Sequence, residues 1–253
     1  MLCFRLIARL DIRNEFLIKT KRLEGVRKVG DPLEYAQRYV NEGIDEIIYL
    51  DAVASLYGRN SLPELVTRTR QVVNVPMTVA GGVRSVEDAA RLLDAGADAV
   101  AVNSALFDLP GLITAIASKF GSQAITVQID AKEVGDGKWR NWICYKDGGR
   151  ENTGRDAVAW AKEAVRRGAG QIFATSIKRE GGSGIDRTLS MVLAENVSVP
   201  VIIAGGVCSS DCVVQAARSG ATGAAMAGVL HYDRVSIGAM KHALHNDGIE
   251  VRL

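Results

Sequence analysis

Short apolar runs alternate with longer amphipathic stretches along the whole chain, a pattern that predicts repeated βα units and a parallel sheet. Eight runs read as strands, at residues 4–10, 46–50, 77–80, 99–102, 124–129, 171–175, 201–204 and 223–227. A helical stretch follows each. Asp31-Pro32 opens one helix as an N-cap followed by a first-turn proline, and Ser85 and Ser209 stand where two others should be capped. Gly43, Gly96, Gly168 and Gly220 close helices, because glycine takes the positive φ of a C′ position without strain.

The second half repeats the first. VPMTVAGGVRSVEDAARLLDAGADAVAVNSAL, from Val75, lies without gaps over VPVIIAGGVCSSDCVVQAARSGATGAAMAGVL, from Val199, and beyond the opening valine ten of the 32 positions are identical. Each half also opens with an apolar strand that ends on an aspartate, Asp11 in one and Asp130 in the other. Eight parallel strands in two equal halves close naturally into a barrel, whereas a doubly wound sheet gives no reason for a two-fold repeat. The expected fold is a single (β/α)8 TIM barrel over residues 1–253, with half-barrels of about 1–123 and 124–253. Residues 132–150, with a Gly135-Asp136-Gly137 turn and a Trp139/Trp142 alternation, predict a hairpin inserted after the fifth strand, as a rim lid or as an inert decoration.

Composition narrows the function. The chain is 47% hydrophobic and 24% charged, as a soluble globular protein is, and a net charge of +2 is too small to argue for nucleic acid or a membrane surface. Arg5 and Arg9 interrupt the N-terminal apolar run, so neither a membrane span nor an export leader is expected. Four cysteines without a C-x-x-C pair suit a reduced cytoplasm. Cys208 and Cys212 lie one helical turn apart, but no histidine or second pair accompanies them, so they read as plain thiols and no metal site is expected.

In a (β/α)8 barrel, the active site lies at the carboxyl ends of the strands. Asp11 ends strand one and Asp130 ends strand five, which face each other across an eight-stranded barrel. Two opposed carboxylates can divide acid and base roles if their surroundings separate their pKa values. Either aspartate alone would serve equally as a loop cap; symmetric placement favours chemistry. Asp51, Thr175, Glu180 and Gly181 fall at the same rim, after strands two and six.

The glycine pairs Gly81/Gly82 and Gly205/Gly206, with Asn103-Ser104 and Ala227-Gly228 on the neighbouring strands, let backbone N–H groups approach an anion. Two such sites related by the repeat suggest a ligand with a phosphate at each end and its middle over Asp11 and Asp130. Alignment and proton transfer need no metal or redox cofactor, and none is expected. His231, near the last strand, reads as a surface or supporting residue, and His242 and His245 as solvated.

These residues carry a resemblance. The segments LDI at 10–12, GDP at 30–32, GIDEI at 43–47, LD-x-x-AS at 50–55, FGSQA at 120–124, IDAK at 129–132, NTG at 152–154, RGAG at 167–170 and the terminal VRL resemble the cyclase subunit of imidazole glycerol phosphate synthase over essentially the whole length. The resemblance implies a reaction. Ammonia and a bis-phosphorylated ribulosyl aminoimidazole carboxamide give imidazole glycerol phosphate and aminoimidazole carboxamide ribotide, with Asp11 and Asp130 as general acid and base. It further implies that Lys19, in a flexible first loop, closes over substrate. Ammonia would come from a glutaminase subunit docked at the amino-terminal face of the barrel.

The resemblance also exposes departures. Arg5 and Glu46 match half of a charged gate, while Ala99 and Gln171 stand where the family usually has lysine and glutamate. Lys178-Arg-Glu-Gly-Gly182 replaces a D-R-D-G-T loop, Arg9 replaces a cysteine, and Gly228 a phosphate-contacting serine. Such changes resemble a paralogous branch that supplies ammonia for amidation of a surface-polysaccharide sugar; a barrel acting only as scaffold is the non-enzymatic alternative.

Overall fold

The structure is a computed structural model that describes residues 3–21, 24–52, 62–135, 140–182 and 184–253. Twelve strands, numbered in chain order, are found among these residues. Eight of them, β1 (Arg5–Arg13), β4 (Glu46–Asp51), β5 (Met77–Ala80), β6 (Ala99–Val102), β7 (Ile125–Val134), β10 (Gln171–Ser176), β11 (Val201–Ala204) and β12 (Gly223–Met226), pair in that order with every pairing parallel. β12 pairs with β1 and closes the ring, so the fold is the (β/α)8 barrel expected.

The strands are apolar because both faces are covered. On β1 the outward positions Leu6, Ala8 and Leu10 join the large core between sheet and helices. Inside the barrel, Ile7 meets Ile48, Phe173, Ile202, Ala204 and Ala225 in a separate apolar plug. The two-residue period therefore puts Arg5, Ile7, Arg9 and Asp11 on the barrel's inner face, from floor to rim.

Local signals set the helix ends. Asp31 accepts hydrogen bonds from Leu33 N and Glu34 N ahead of the helix Pro32–Asn41, and Ser85 and Asp88 form a reciprocal capping box ahead of Val86–Asp94. Ser209 precedes Ser210–Arg218, but its hydroxyl caps no backbone amide and instead contacts Cys212 Sγ at 3.4 Å. Gly43, Gly96, Gly168 and Gly220 all take positive φ just past their helices.

Two hairpins rise from the catalytic rim. β7 runs beyond the barrel and pairs antiparallel with β8 (Asn141–Lys146), the expected insertion; β8 then pairs with β9 (Glu151–Asp156), a strand the polar sequence does not announce. The Asp136-Gly137 part of the turn and Trp139 lie outside the described residues, as do positions 53–55 of the LD-x-x-AS segment. The second hairpin corrects the sequence reading. Lys19 lies in a strand rather than a flexible loop, because β1 continues into β2 (Phe16–Lys21), which pairs with β3 (Glu24–Gly30).

Candidate active site

Asp11 and Asp130 occupy equivalent places. Each is the inward residue at which a barrel strand begins to pair with its hairpin: Asp11 stands opposite Ile18 of β2, and Asp130 opposite Tyr145 of β8. β1 and β7 are four strands apart around the ring, so the two carboxylates face one another across the mouth. Both are buried.

Their surroundings differ. Asp130 accepts hydrogen bonds from Asn103 Nδ2 at 2.9 Å and Gln128 Nε2 at 3.2 Å, both neutral donors. Burial raises its carboxyl to about 6, against the opposing pull of Gln128, Arg9 and Asn103. Asp11 is held by a cation instead: Arg9 Nη2 donates to Asp11 Oδ2 at 3.0 Å, and Arg9 Nε lies 2.9 Å from Oδ1 in an ionic contact without hydrogen-bond alignment. The two carboxylates thus sit in different surroundings, Asp130 among neutral donors and Asp11 against a guanidinium.

Glu180, buried beside Arg9, receives Arg9 Nη2 at 2.9 Å and Lys19 Nζ at 2.7 Å. Burial alone would raise its pKa; Arg9 and Lys19 outweigh it and hold the carboxylate at about 2. Glu180 is therefore an anion locked between two cations.

Gly81 and Gly205 show the repeat at atomic scale. Gly81 has φ +98°, and a Cβ there would stand 2.6 Å from the backbone oxygen of Asp51; Gly205 has φ +91°, and a Cβ there would stand 2.6 Å from the backbone oxygen of Ser176. Only glycine lets strand ends come this close.

Two cavities open at the rim. The larger, about 720 Å³, is bordered by Lys19, Glu180, Gly181, Gly205, Gly206, Ala227 and Gly228, with Arg27 and Arg234. The smaller, about 390 Å³, is bordered by Asp11, Asp51, Gly81, Gly82, Asn103, Ser104, Asp130 and Thr175, with Arg13, Arg84 and Arg150. Every rim residue singled out in the sequence thus borders one cavity or the other. The five arginines did not stand out, because their pattern is that of any solvated hairpin or loop. Ser104 Oγ is engaged by Asp147 N at 2.9 Å, and Asn103 Nδ2 also reaches the Tyr145 carbonyl at 3.2 Å, so both residues anchor the β8–β9 hairpin.

Of the surface and supporting roles expected of His231, burial rules out the first. It is buried behind the larger cavity, its Nδ1 2.7 Å from Tyr39 Oη, and burial together with the positive charges of Lys19, Arg9 and Arg38 lowers it to about 3. Cys208 borders the same cavity with its sulfur 3.5 Å from that of Cys212.

At the opposite end, Arg5 donates to Glu46 Oε2 at 2.8 Å and to Gln171 Oε1 at 2.7 Å, Thr78 donates to Glu46 Oε1 at 3.0 Å, and Gln171 donates to Thr126 Oγ1 at 3.3 Å. Ala99, at the start of β6, contributes only a methyl group to this end of the barrel. Burial raises the Glu46 carboxyl, although Arg5 and Thr78 oppose it.

A family model described as histidine biosynthesis protein matches residues 5–236. The chain belongs to the histidine biosynthesis protein family. It is similar to the imidazole glycerol phosphate synthase subunit HisF of Myxococcus xanthus (strain DK1622), 45% identical over 100% of this chain and 99% of the relative. The subunit of the same name from Legionella pneumophila is 51% identical over 80% of this chain and 94% of its own length. That from Streptococcus sanguinis (strain SK36) is 41% identical over the full length of both. In this chain the paired aspartates and glycine-lined cavities stand at the rim where barrel enzymes carry their chemistry. No helix among the described residues is long and apolar enough to cross a membrane.

Proposed function

We propose that this chain is the cyclase subunit of imidazole glycerol phosphate synthase. It would use ammonia to convert the bis-phosphorylated ribulosyl aminoimidazole carboxamide into imidazole glycerol phosphate and aminoimidazole carboxamide ribotide in the cytoplasm. One observation carries the reading: Asp11 and Asp130 face each other in the smaller of two adjoining rim cavities, each built on a glycine pair that the internal repeat supplies. A phosphate at each end of the substrate takes backbone N–H groups near Gly82 and Gly206, aided by the rim arginines. The reacting middle then lies beside the aspartates.

Asp130, near 6, exchanges protons readily at neutral pH, and Asp11 faces it across the mouth, so one carboxyl delivers and the other removes protons during ring closure. Asp51 and Thr175 line the smaller cavity beside them. Ammonia is supplied by a glutaminase subunit at the amino-terminal face, where Arg5, Glu46, Ala99 and Gln171 surround the barrel entrance.

The test is direct. Purified chain given ammonium chloride and the bis-phosphate should consume it, whereas Asp11→Asn should lose at least about a hundredfold in kcat with an unchanged circular dichroism spectrum. Near-full activity in Asp11→Asn, or no turnover by the unaltered chain, rejects the reading. Crystals soaked in phosphate should hold one ion in each cavity.

A further inference from the structure

Arg9 is the only described residue that borders both cavities. It stands on the inner face of β1, above the apolar plug and below Asp11, and is only 3% exposed. A buried guanidinium is tolerated when carboxylates satisfy it, and here two do: Asp11 on its own strand and Glu180 from the loop after β10. The planar fork ties those carboxylates together, and Lys19 completes the cluster from β2. Two cations and two anions cancel, leaving a neutral partition between chambers that both favour anions.

We propose that Arg9 is a positioning and specificity-determining residue. It fixes Asp11 and Glu180 into a wall between the two anion cavities, so a ligand anchored at both ends must rest its uncharged middle on the guanidinium, beside Asp11. This inference rests on the two-phosphate substrate reading above. A ligand with a negative charge at its centre would compete with Asp11 for Arg9 and misplace the carboxylate; a small single anion would occupy one chamber only. The charged or titratable groups around Arg9 are Asp11 on β1, Lys19 on β2, Asp130 on β7, Glu180 after β10 and His231 after β12.

The experiment compares the full chain with Arg9→Met, Arg9→Lys and the double variant Arg9→Met/Glu180→Gln. The double variant keeps the cluster balanced, with Lys19 against Asp11, and serves if Arg9→Met does not fold. Steady-state rates with ammonium chloride and the bis-phosphate are measured across pH. Arg9→Met should lower kcat about thirtyfold or more and raise KM by up to about tenfold, in step with the weaker phosphate anchoring at a wall left with net negative charge. The pH limb set by Asp130 should move up by about one unit, since Arg9 holds that carboxyl down, and a mere loss of folded protein would not move it. Arg9→Lys should restore the limb and most of kcat.

Calorimetric titration with inorganic phosphate reads the wall without turnover: Arg9→Met should weaken binding about tenfold, and Arg9→Lys should recover it. Unaltered chain that binds phosphate but does not turn over the bis-phosphate would reject the substrate reading, while the phosphate titrations still decide for or against Arg9. An unchanged limb, kcat and phosphate affinity in Arg9→Met, or Arg9→Lys behaving no better than Arg9→Met, overturns the proposal.

Discussion

Lys19 and Glu180, 161 residues apart in sequence, meet at 2.7 Å and fasten the β2–β3 hairpin to the loop after β10. The contact places a cation over the larger cavity, where the Lys19 stem also lies 3.5 Å from the position a side chain at Gly228 would take. Arg9 Nη2 keeps its hydrogen bond to Glu180 when Lys19 turns away, so the lysine can exchange this carboxylate for an incoming phosphate.

Replacing Lys19 should therefore weaken substrate capture more than it weakens the fold. Lys19→Met is expected to raise KM for the bis-phosphate about tenfold or more, with a melting temperature within a few degrees of the unaltered chain. An unchanged KM would remove Lys19 from substrate contact.

Asp130 should give the stability a recognisable pH signature. Its carboxyl is raised from the ordinary 3.8 to about 6, so between those values the folded protein binds more protons than the unfolded chain. The stabilisation is full below the unfolded value and is lost as pH rises through about 6, on the order of 3 kcal/mol in all. Urea unfolding at pH 4 and pH 7.5 should show the chain losing about that much relative to Asp130→Asn. Glu180, held at about 2, acts with the opposite sign: it stabilises above its unfolded value, and the benefit disappears as pH falls from about 4 towards 2. A pH-independent difference between the chain and Asp130→Asn would show that the aspartate titrates normally.

The repeat predicts matched penalties at its two glycines. Gly81→Ala and Gly205→Ala each force a side chain into positive φ and against a backbone oxygen 2.6 Å away, so each should cost at least about 2 kcal/mol. Gly43→Ala is the control. That glycine also has positive φ, but its Cβ would meet nothing within 4 Å, so about 1 kcal/mol is expected. Chemical denaturation of the three variants checks the ranking, and a cost at Gly81 no greater than at Gly43 would contradict the close strand approach.

The floor of the barrel offers a separable readout. Arg5 binds both Glu46 and Gln171, and its removal loosens the entrance without touching the rim. In the complex with a glutaminase, Arg5→Ala should lower glutamine-driven turnover about fivefold or more relative to ammonium-driven turnover, which should stay within about twofold. Equal losses in both assays would mean that Arg5 supports the fold rather than passage.

The barrel was legible because its strands are covered on both faces and read as short, mostly apolar runs; their starts agree with the structure to within one residue. The repeat placed the aspartates and glycine pairs, since a duplicated frame repeats its rim. The hairpins were harder. FLIKTK and EGVRKVG lack a clean apolar alternation, so nothing in their sequence announces β2 and β3 as strands. β9, ENTGRD, is almost wholly polar and is held by pairing to β8. Arg9 stood out as a departure, but its partnership with Glu180 spans 171 residues, and no local pattern carries such a contact.

The chambers on either side of the wall differ nearly twofold in size, about 720 against 390 Å³, although duplication built both from the same plan. A symmetric cage would admit an elongated guest in either direction. For the two-phosphate substrate proposed above, unequal ends would set a direction of entry, with the roomier berth on the Lys19 side.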